Sequence, residues 1–333
     1  MMHDAVKAVL LVGGMGTRLR PLTYRLPKPL VPVLGKPLIM HVIDSLPTEV
    51  DEIIIPIGYK KDAMQEYLAK NPTKRKITLV DEPQPMGTGG AVKNVEDYIE
   101  GTFLVVNGDI ITSLDVAKFL AYHREKGGVA TISLWPVEDP TPFGVVDLAE
   151  DGRIKRFQEK PKREEAFSNL INAGAYALEE EVLGYIGKGF VSMEREVFPN
   201  ILEEGMYGFQ FTGHWIDCGK RESLLEAYWT LMGEDTQAVD RTSVVQGSQI
   251  RKPAIVKDKA VIAGATIGPR AYVSERAVVG LRSRIERSVL LEDCRIGARC
   301  TVVDSIIDAG TSIPDGAQVR STIVSNAKEP KSK

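Results

Sequence analysis

In the last third of the chain a large aliphatic residue returns at every sixth position: Ile255, Val261, Ile267, Val273, Val279, Ile285 and Leu291. A helix repeats every 3.6 residues and a lone strand every two, so neither generates this period. Short strands stacked as the coils of a parallel β-helix do. Small residues stand two positions ahead of several of these, at Ala265, Ala271, Ala277 and Ser283, and Gly264, Gly268 and Gly280 punctuate the expected turns. The spacing slips after Leu291, then resumes with Ile296 and Val302 and again with Ile313 and Val319. An irregular β-sandwich is the plainer alternative, and it explains the period less well.

The residues before this repeat follow another rule. Short β-branched runs, Ala8 to Val12, Glu52 to Ile57, Ile77 to Val80, Phe103 to Asn107 and Val129 to Trp135, alternate with amphipathic stretches such as Asp62 to Lys70 and Val116 to Lys126. That alternation predicts a doubly wound α/β domain with a mostly parallel sheet. A length of 333 residues also exceeds one ordinary core. The boundary is placed after the helix near Arg221 to Gly233, giving domains 1–235 and 236–333. In open α/β sheets ligands bind beyond the carboxyl ends of strands, so the residues after Val12 and Val106 are where chemistry is expected.

After Val12 the chain reads Gly13-Gly14-Met15-Gly16-Thr17-Arg18-Leu19-Arg20-Pro21-Leu22-Thr23. Glycines let successive backbone N–H groups approach one anion, and a triphosphate suits such a loop. No Gly-Lys-Ser/Thr of a Walker loop is present, and Leu19 stands where a dinucleotide fingerprint needs its third glycine. A glycine-rich turn alone is weak. Here Arg18, Arg20, Arg25 and Lys28 follow it, and cations beside a phosphate nest are what phosphoryl transfer requires.

This segment, with Pro27-Lys28-Pro29 after it, resembles the opening signature of the sugar-phosphate nucleotidylyltransferases almost letter for letter. The resemblance implies a Rossmann-like catalytic domain and a left-handed parallel β-helix. It makes Arg18 and Lys28 the catalytic cations, and places the nucleotide against Leu11, Gly13, Gly14, Gly16, Thr17, Glu82, Gly87 and Thr88. Asp109, after the strand at Phe103 to Asn107, and Asp217, in Trp215-Ile216-Asp217-Cys218-Gly219, are the implied ligands of Mg²⁺, which takes few carboxylates and completes its shell with water and phosphate oxygens. On its own an Asp after a strand is more often a turn former. The sugar phosphate would meet Gly144, Glu159, Lys160, Asn172 and Gly174, where Lys160 neutralises phosphate and Glu159 accepts from hydroxyls.

Glu82 lies in the stretch resembling the loop that reads the base. An ionised Glu only accepts hydrogen bonds, which suits the adjacent N1–H and amine of guanine. A pyrimidine reader needs a group such as Gln that also donates. The segments Ile171 to Tyr176 and Ser192 to Pro199 look most like the mannose-1-phosphate guanylyltransferases, so GTP and mannose 1-phosphate are the expected substrates. Gly89 where Ala is usual, and Lys220 where a small or polar residue is commoner, depart from that pattern. A thymidylyl- or uridylyltransferase using glucose 1-phosphate is one alternative. An inactive regulatory paralogue, such as the translation-initiation exchange-factor subunits that share this architecture, is the other, but such subunits tend to lose the Arg, Lys or aspartates retained here.

A net charge of −3 without long single-sign blocks, apart from the tail Lys328 to Lys333, argues against nucleic acid as a partner. Met1 to Ala5 lack a cationic leader and Ala8 to Val12 is too short to span a bilayer, so no membrane partner and a cytoplasmic location are expected. Cys218, Cys294 and Cys300 form no disulfide or zinc spacing, and the latter two read as packed small side chains. All four histidines precede the repeat, which argues against a second, acetyl-transferring activity in the tail. The tail is expected to mediate homo-oligomers.

Overall fold

A computed structural model describes residues 6–329; Met1 to Ala5 and the tail beyond Glu329 lie outside the described residues. Contacts divide the chain into two units, residues up to Gly14 with Ile39–Trp215, and Met15–Leu38 with residues from Ile216 on.

The first unit is built on a nine-stranded sheet among the described residues. Its strands are β1 (Val6–Leu11), β2 (Val50–Ile57), β3 (Lys76–Asp81), β4 (Phe103–Asn107), β5 (Ala130–Pro136), β6 (Gly144–Leu148), β7 (Ile154–Glu159), β8 (Leu170–Leu178) and β9 (Met206–Gln210). β3, β2, β1 and β4 lie side by side in parallel, while β8 runs antiparallel to β4 and to β5. The sheet is therefore parallel where β1 sits and mixed beyond β4. Near-continuous apolar runs explain the parallel part: Ala8, Val9 and Leu10, like Phe103, Leu104 and Val105, are fully buried, as strands covered on both faces must be. Leu11 pairs with Asn107, so the loops leaving β1 and β4 emerge as neighbours.

Strand bounds agree with the sequence reading to within two residues, and the helix Val116–Lys126 coincides with it. That helix is well signalled. Asp115 caps it by accepting the Lys118 N–H at 3.1 Å, and Gly127 ends it in the left-handed conformation. No helix among the described residues is long and apolar enough to cross a membrane.

In the second unit three parallel sheets of six, five and five short strands form the stacked coils. Equivalent positions are 17 residues apart, as in the bonds from Cys300 to Ser283 and from Ser305 to Ser288, with one step of 18 from Ile267 to Ile285. Seventeen residues over three sides make steps of six broken by a step of five, which corrects the constant hexad. The inward residues include Val256, Ile262, Ile267, Val273, Val279, Ile285, Leu290, Ile296 and Val302, and the series continues at Ile307, Ile313 and Val319. Ile255 and Val261 fall out of phase, Val261 being 40% exposed, and Leu290 takes the core place expected for Leu291.

Two positions before each inward residue from Val256 to Val302 stands a buried small one: Ala254, Ala260, Ala265, Ala271, Ala277, Ser283, Ser288, Cys294 and Cys300. The cysteines thus fill the small-residue row, and burial pushes the Cys294 thiol up to about 12, leaving it unreactive. Hydroxyls in this row accept backbone N–H bonds from the next coil, as Ser283 does from Cys300 at 2.9 Å. Glycines hold only some of the corners. Lys259, Arg270, Arg276, Arg287, Asp293 and Asp304 adopt left-handed backbone there, and Arg276–Asp293 and Arg287–Asp304 pair between coils.

Candidate active site

In the first unit a cleft of about 370 Å³ opens at the ends of β1 and β4. Gly13, Gly14, Asn107 and Asp109 line it, together with the apolar Leu11, Pro85, Ala91 and Phe190. Glu82, Gly87 and Thr88 line it as well. A β-carbon at Gly13 or Gly14 would meet nothing within 4 Å, so this stretch of backbone is open to an incoming group. At Gly108 the glycine is needed instead for packing, because a β-carbon would lie 2.9 Å from Val12. Asp109, the next residue, lines the same cleft as Gly13 and Gly14.

Glu82 is not a loose loop acid. Its Oε1 accepts the Met86 N–H at 2.9 Å, which fixes the carboxylate at the cleft. The helix Gly87–Lys93 begins next to it, and Val191 caps its first turn by accepting N–H bonds from Gly89 and Gly90 at 2.9 and 3.1 Å. A side chain at Gly87 or Gly90 would strike the backbone at Val191 or Gly189. The Thr88 hydroxyl donates to Glu194 at 2.7 Å and accepts the Met193 N–H at 2.9 Å, so it organises the wall.

The segments expected on the sugar side also come together within this unit. Gly144 on β6 pairs with Glu159 on β7, and a β-carbon at Gly144 would lie 2.6 Å from Phe157 and 3.0 Å from Oε2 of Glu159. Lys160 takes left-handed backbone, donates its N–H to Phe143 at 2.9 Å, and sets its ammonium 3.0 Å from Glu159. On β8 a bulge separates Asn172 from Tyr176. Asn172 accepts the Gly174 N–H and donates to the Tyr176 hydroxyl, both at 2.9 Å, which leaves one amide N–H for a ligand. Gly174 has φ +79, and a β-carbon there would collide with the Asn107 side chain.

Tyr176 and Glu194 carry no role in the sequence reading, yet they join these two regions. The buried Tyr176 hydroxyl donates to Glu194 at 3.3 Å, while Thr88 and Ser192 donate to the other oxygen at 2.7 Å. Burial and the Glu194 charge hold the Tyr176 phenol far above its ordinary range, so it stays a donor. Glu194 sits in a turn of π-helix, Met193–Val197, a form that often marks functional sites. Phe190, 71% exposed at the cleft mouth, was likewise missed.

The second unit holds the cations. Gly16 has φ +60 and packs against Thr23 and Lys28, and its carbonyl accepts the Thr23 hydroxyl at 2.8 Å. The turn Thr17–Leu19 then carries Arg18 outward while Leu19 is fully buried. Lys28 is 8% exposed, and its ammonium lies 3.8 Å from Oδ1 of Asp217. A buried ammonium needs such a partner. A β-carbon at Gly219 would stand 2.5 Å from Nη2 of Arg18 and 2.9 Å from Oδ1 of Asp217. Arg18, Lys28 and Asp217 therefore converge, and the missing side chain of Gly219 makes the room. Arg25 is different: expected beside the phosphate, it is bonded to Asp308 at 2.8 Å.

No group of three or more His, Cys, Asp or Glu is gathered as a metal site among the described residues.

Residues 7–232 match the Nucleotidyl transferase family and residues 250–329 match the GMPPB C-terminal domain. The Bifunctional protein GlmU of Methanococcus maripaludis is 35% identical over 329 residues, covering 95% of this chain and 77% of that protein. Mannose-1-phosphate guanylyltransferase 1 of Arabidopsis thaliana is 40% identical over 224 residues, covering 65% of this chain and 62% of its own length. Among solved structures, HddC from Yersinia pseudotuberculosis complexed with GMP-PN superposes with a TM-score of 0.57 at 30% identity, over 67% of this chain and 98% of that one. A putative glucose-1-phosphate thymidylyltransferase from Bacillus anthracis gives 0.61 at 26% identity, over 67% and 94%. With a family match over more than half its length and a 35% identical relative along nearly all of it, the chain belongs to the nucleotidyl transferase family as a sugar-phosphate nucleotidyltransferase.

Proposed function

We propose that this protein joins GTP to mannose 1-phosphate, forming GDP-mannose and releasing pyrophosphate. The observation that carries the reaction class is the convergence of Arg18, Lys28 and Asp217 around Gly219. The choice of base and sugar is supported by the Arabidopsis relative, named as a mannose-1-phosphate guanylyltransferase, and by the fixed carboxylate of Glu82 at the cleft.

A sugar phosphate is already largely dianionic at neutral pH, its second pKa being about 6, so no general base is needed. Its oxygen attacks the α-phosphorus in line with departing pyrophosphate. The protein's task is to bring two anions together and balance the charge that shifts between them. Arg18 and Lys28 neutralise phosphate oxygens, and the Gly13–Gly14 amides bind the triphosphate. Asp109 and Asp217 would hold a divalent ion, which supplies further charge neutralisation when bound. Glu82 accepts from the guanine N1–H and amine, Phe190 and Pro85 flank the base, and Glu159 with Asn172 orients the sugar hydroxyls beside Lys160. Assembly through the β-helix and residence in the cytoplasm complete the proposal.

The test is pyrophosphate release with each of the common NTPs against mannose and glucose 1-phosphates in Mg²⁺. GTP with mannose 1-phosphate should give the highest kcat/KM, and release with no pair would refute catalysis. The thymidylyltransferase neighbour favours a second reading, dTTP or UTP with glucose 1-phosphate. Glu82→Gln separates them: a mispaired polar group costs about 1–3 kcal/mol, so the variant should shift preference from GTP toward UTP or dTTP by about tenfold or more.

A further inference from the structure

The segment Met15–Leu38, which carries Arg18 and Lys28, packs as part of the unit that contains the β-helix. Arg25 ties it to the coils. Nη2 of Arg25 lies 2.8 Å from Oδ1 of Asp308 and Nε lies 3.5 Å from Oδ2. Asp308 belongs to the coils and its side chain is 1% exposed. The same carboxylate accepts the Ser325 hydroxyl at 2.7 Å and the Ala309 N–H at 2.8 Å, so it is fixed from its own side. A buried carboxylate with one cationic partner holds that partner firmly, because losing it leaves the charge uncompensated.

Further contacts hold the segment beyond Lys28. The Tyr228 hydroxyl donates to the Pro32 carbonyl at 2.8 Å, and the Tyr228 ring packs 5.2 Å from Tyr272 of the coils. Arg20 meets Glu329 at 3.2 Å, an exposed pair of little weight. A short path runs from Arg25 to the reacting end. Arg25 closes the helical turn Leu22–Arg25, Thr23 in that turn bonds the Gly16 carbonyl, and Gly16 precedes the turn that carries Arg18.

We propose that Arg25 and Asp308 are positioning residues: the β-helix sets the pose of Arg18 and Lys28 through this pair, and so acts on transfer directly. The claim rests on the transferase reading above. It makes the tail part of the catalytic apparatus, beyond any role in assembly.

The experiment uses the full chain with Arg25→Met, Arg25→Lys, Asp308→Asn and the Met/Asn double variant. For each, kcat, both KM values and backbone hydrogen exchange over residues 16–31 are measured. A displacement of the order of 1 Å at a reacting group can cost up to about a hundredfold, so each disrupting variant should lower kcat by about tenfold or more while both KM values move less than about threefold. Exchange over residues 16–31 should accelerate in the same variants. The double variant should be no slower than the worse single one, and Arg25→Lys should recover part of kcat. Arg25→Met, altered on the more exposed side, answers the question if Asp308→Asn fails to fold. Unchanged kcat would overturn the proposal whatever the exchange, as would lowered kcat with unchanged exchange, or fully additive losses in the double variant. A wild type inactive with every substrate pair would refute the transferase reading instead, and the exchange data would still decide whether the pair holds the loop.

Discussion

The sheet unit and the coils bury the same kind of residue, short aliphatic strands, under different constraints. In the sheet the strands are individually distinct, and chemistry collects where they stop: Leu11 beside Asn107 puts Gly13, Gly14 and Asp109 at one cleft. In the coils each strand copies the one 17 residues earlier, so every coil shields its neighbours and few positions are unique. The candidate cleft therefore lies on irregular parts, while the repeated parts stabilise one another. The segment Met15–Leu38 breaks that division, because Arg18 and Lys28, the cations proposed for catalysis, belong to the repeated unit.

The largest expected effect tests the repeated side. Ile285, fully buried in the coil core, should cost about 2–5 kcal/mol when cut to Ala, read as a shifted urea midpoint, while kcat per folded molecule stays unchanged. Arg18→Ala should do the reverse, lowering kcat by about a hundredfold with little change in melting, and near-normal turnover would remove Arg18 from its assigned role. Gly219→Ala sharpens the contrast. The added methyl displaces the tip of a flexible guanidinium and leaves the backbone alone, so kcat should fall about tenfold with an unaltered melt.

The smallest effect concerns pH in the sheet unit. His123 is 1% exposed between Thr131 at 2.8 Å and Glu179 at 3.0 Å, and burial holds its pKa below the ordinary value of 6.5 despite Glu179. The unfolded chain therefore binds the proton first, so this contribution is complete above about pH 6.5 and is lost as pH falls below it. His123→Gln should show a smaller drop in melting temperature between about pH 7.5 and 5.5 than the parent protein. An equal drop in both would remove His123 as the source.

Elements with strong local signals were legible in the sequence. Val116–Lys126 has a capping Asp and a terminal Gly, and β4 is an unbroken apolar run, so both agree residue for residue. The coils were legible as a class but not in phase: six-residue bookkeeping sends Val261 inward, and only the register of one coil on the next reveals the five-residue step. Residues within a recognisable motif, such as Arg18 and Glu82, could be proposed from sequence, and the fold sets Glu82 at the cleft and Arg18 beside Gly219. Glu194 could not, because its meaning comes from Thr88 and Tyr176, which are brought to it by the fold. Arg25 was misjudged for the same reason, since Asp308 lies 283 residues away.

The 17-residue lap also limits how the tail can vary in length. Excising a whole lap leaves every later side chain on its original face and every hydroxyl opposite a waiting amide. Excising six residues would rotate the remainder by about a third of a turn, moving each later strand to the next sheet and setting the five-residue side against a six-residue one. Viable versions of this tail should therefore differ by complete circuits, like washers added to a bolt.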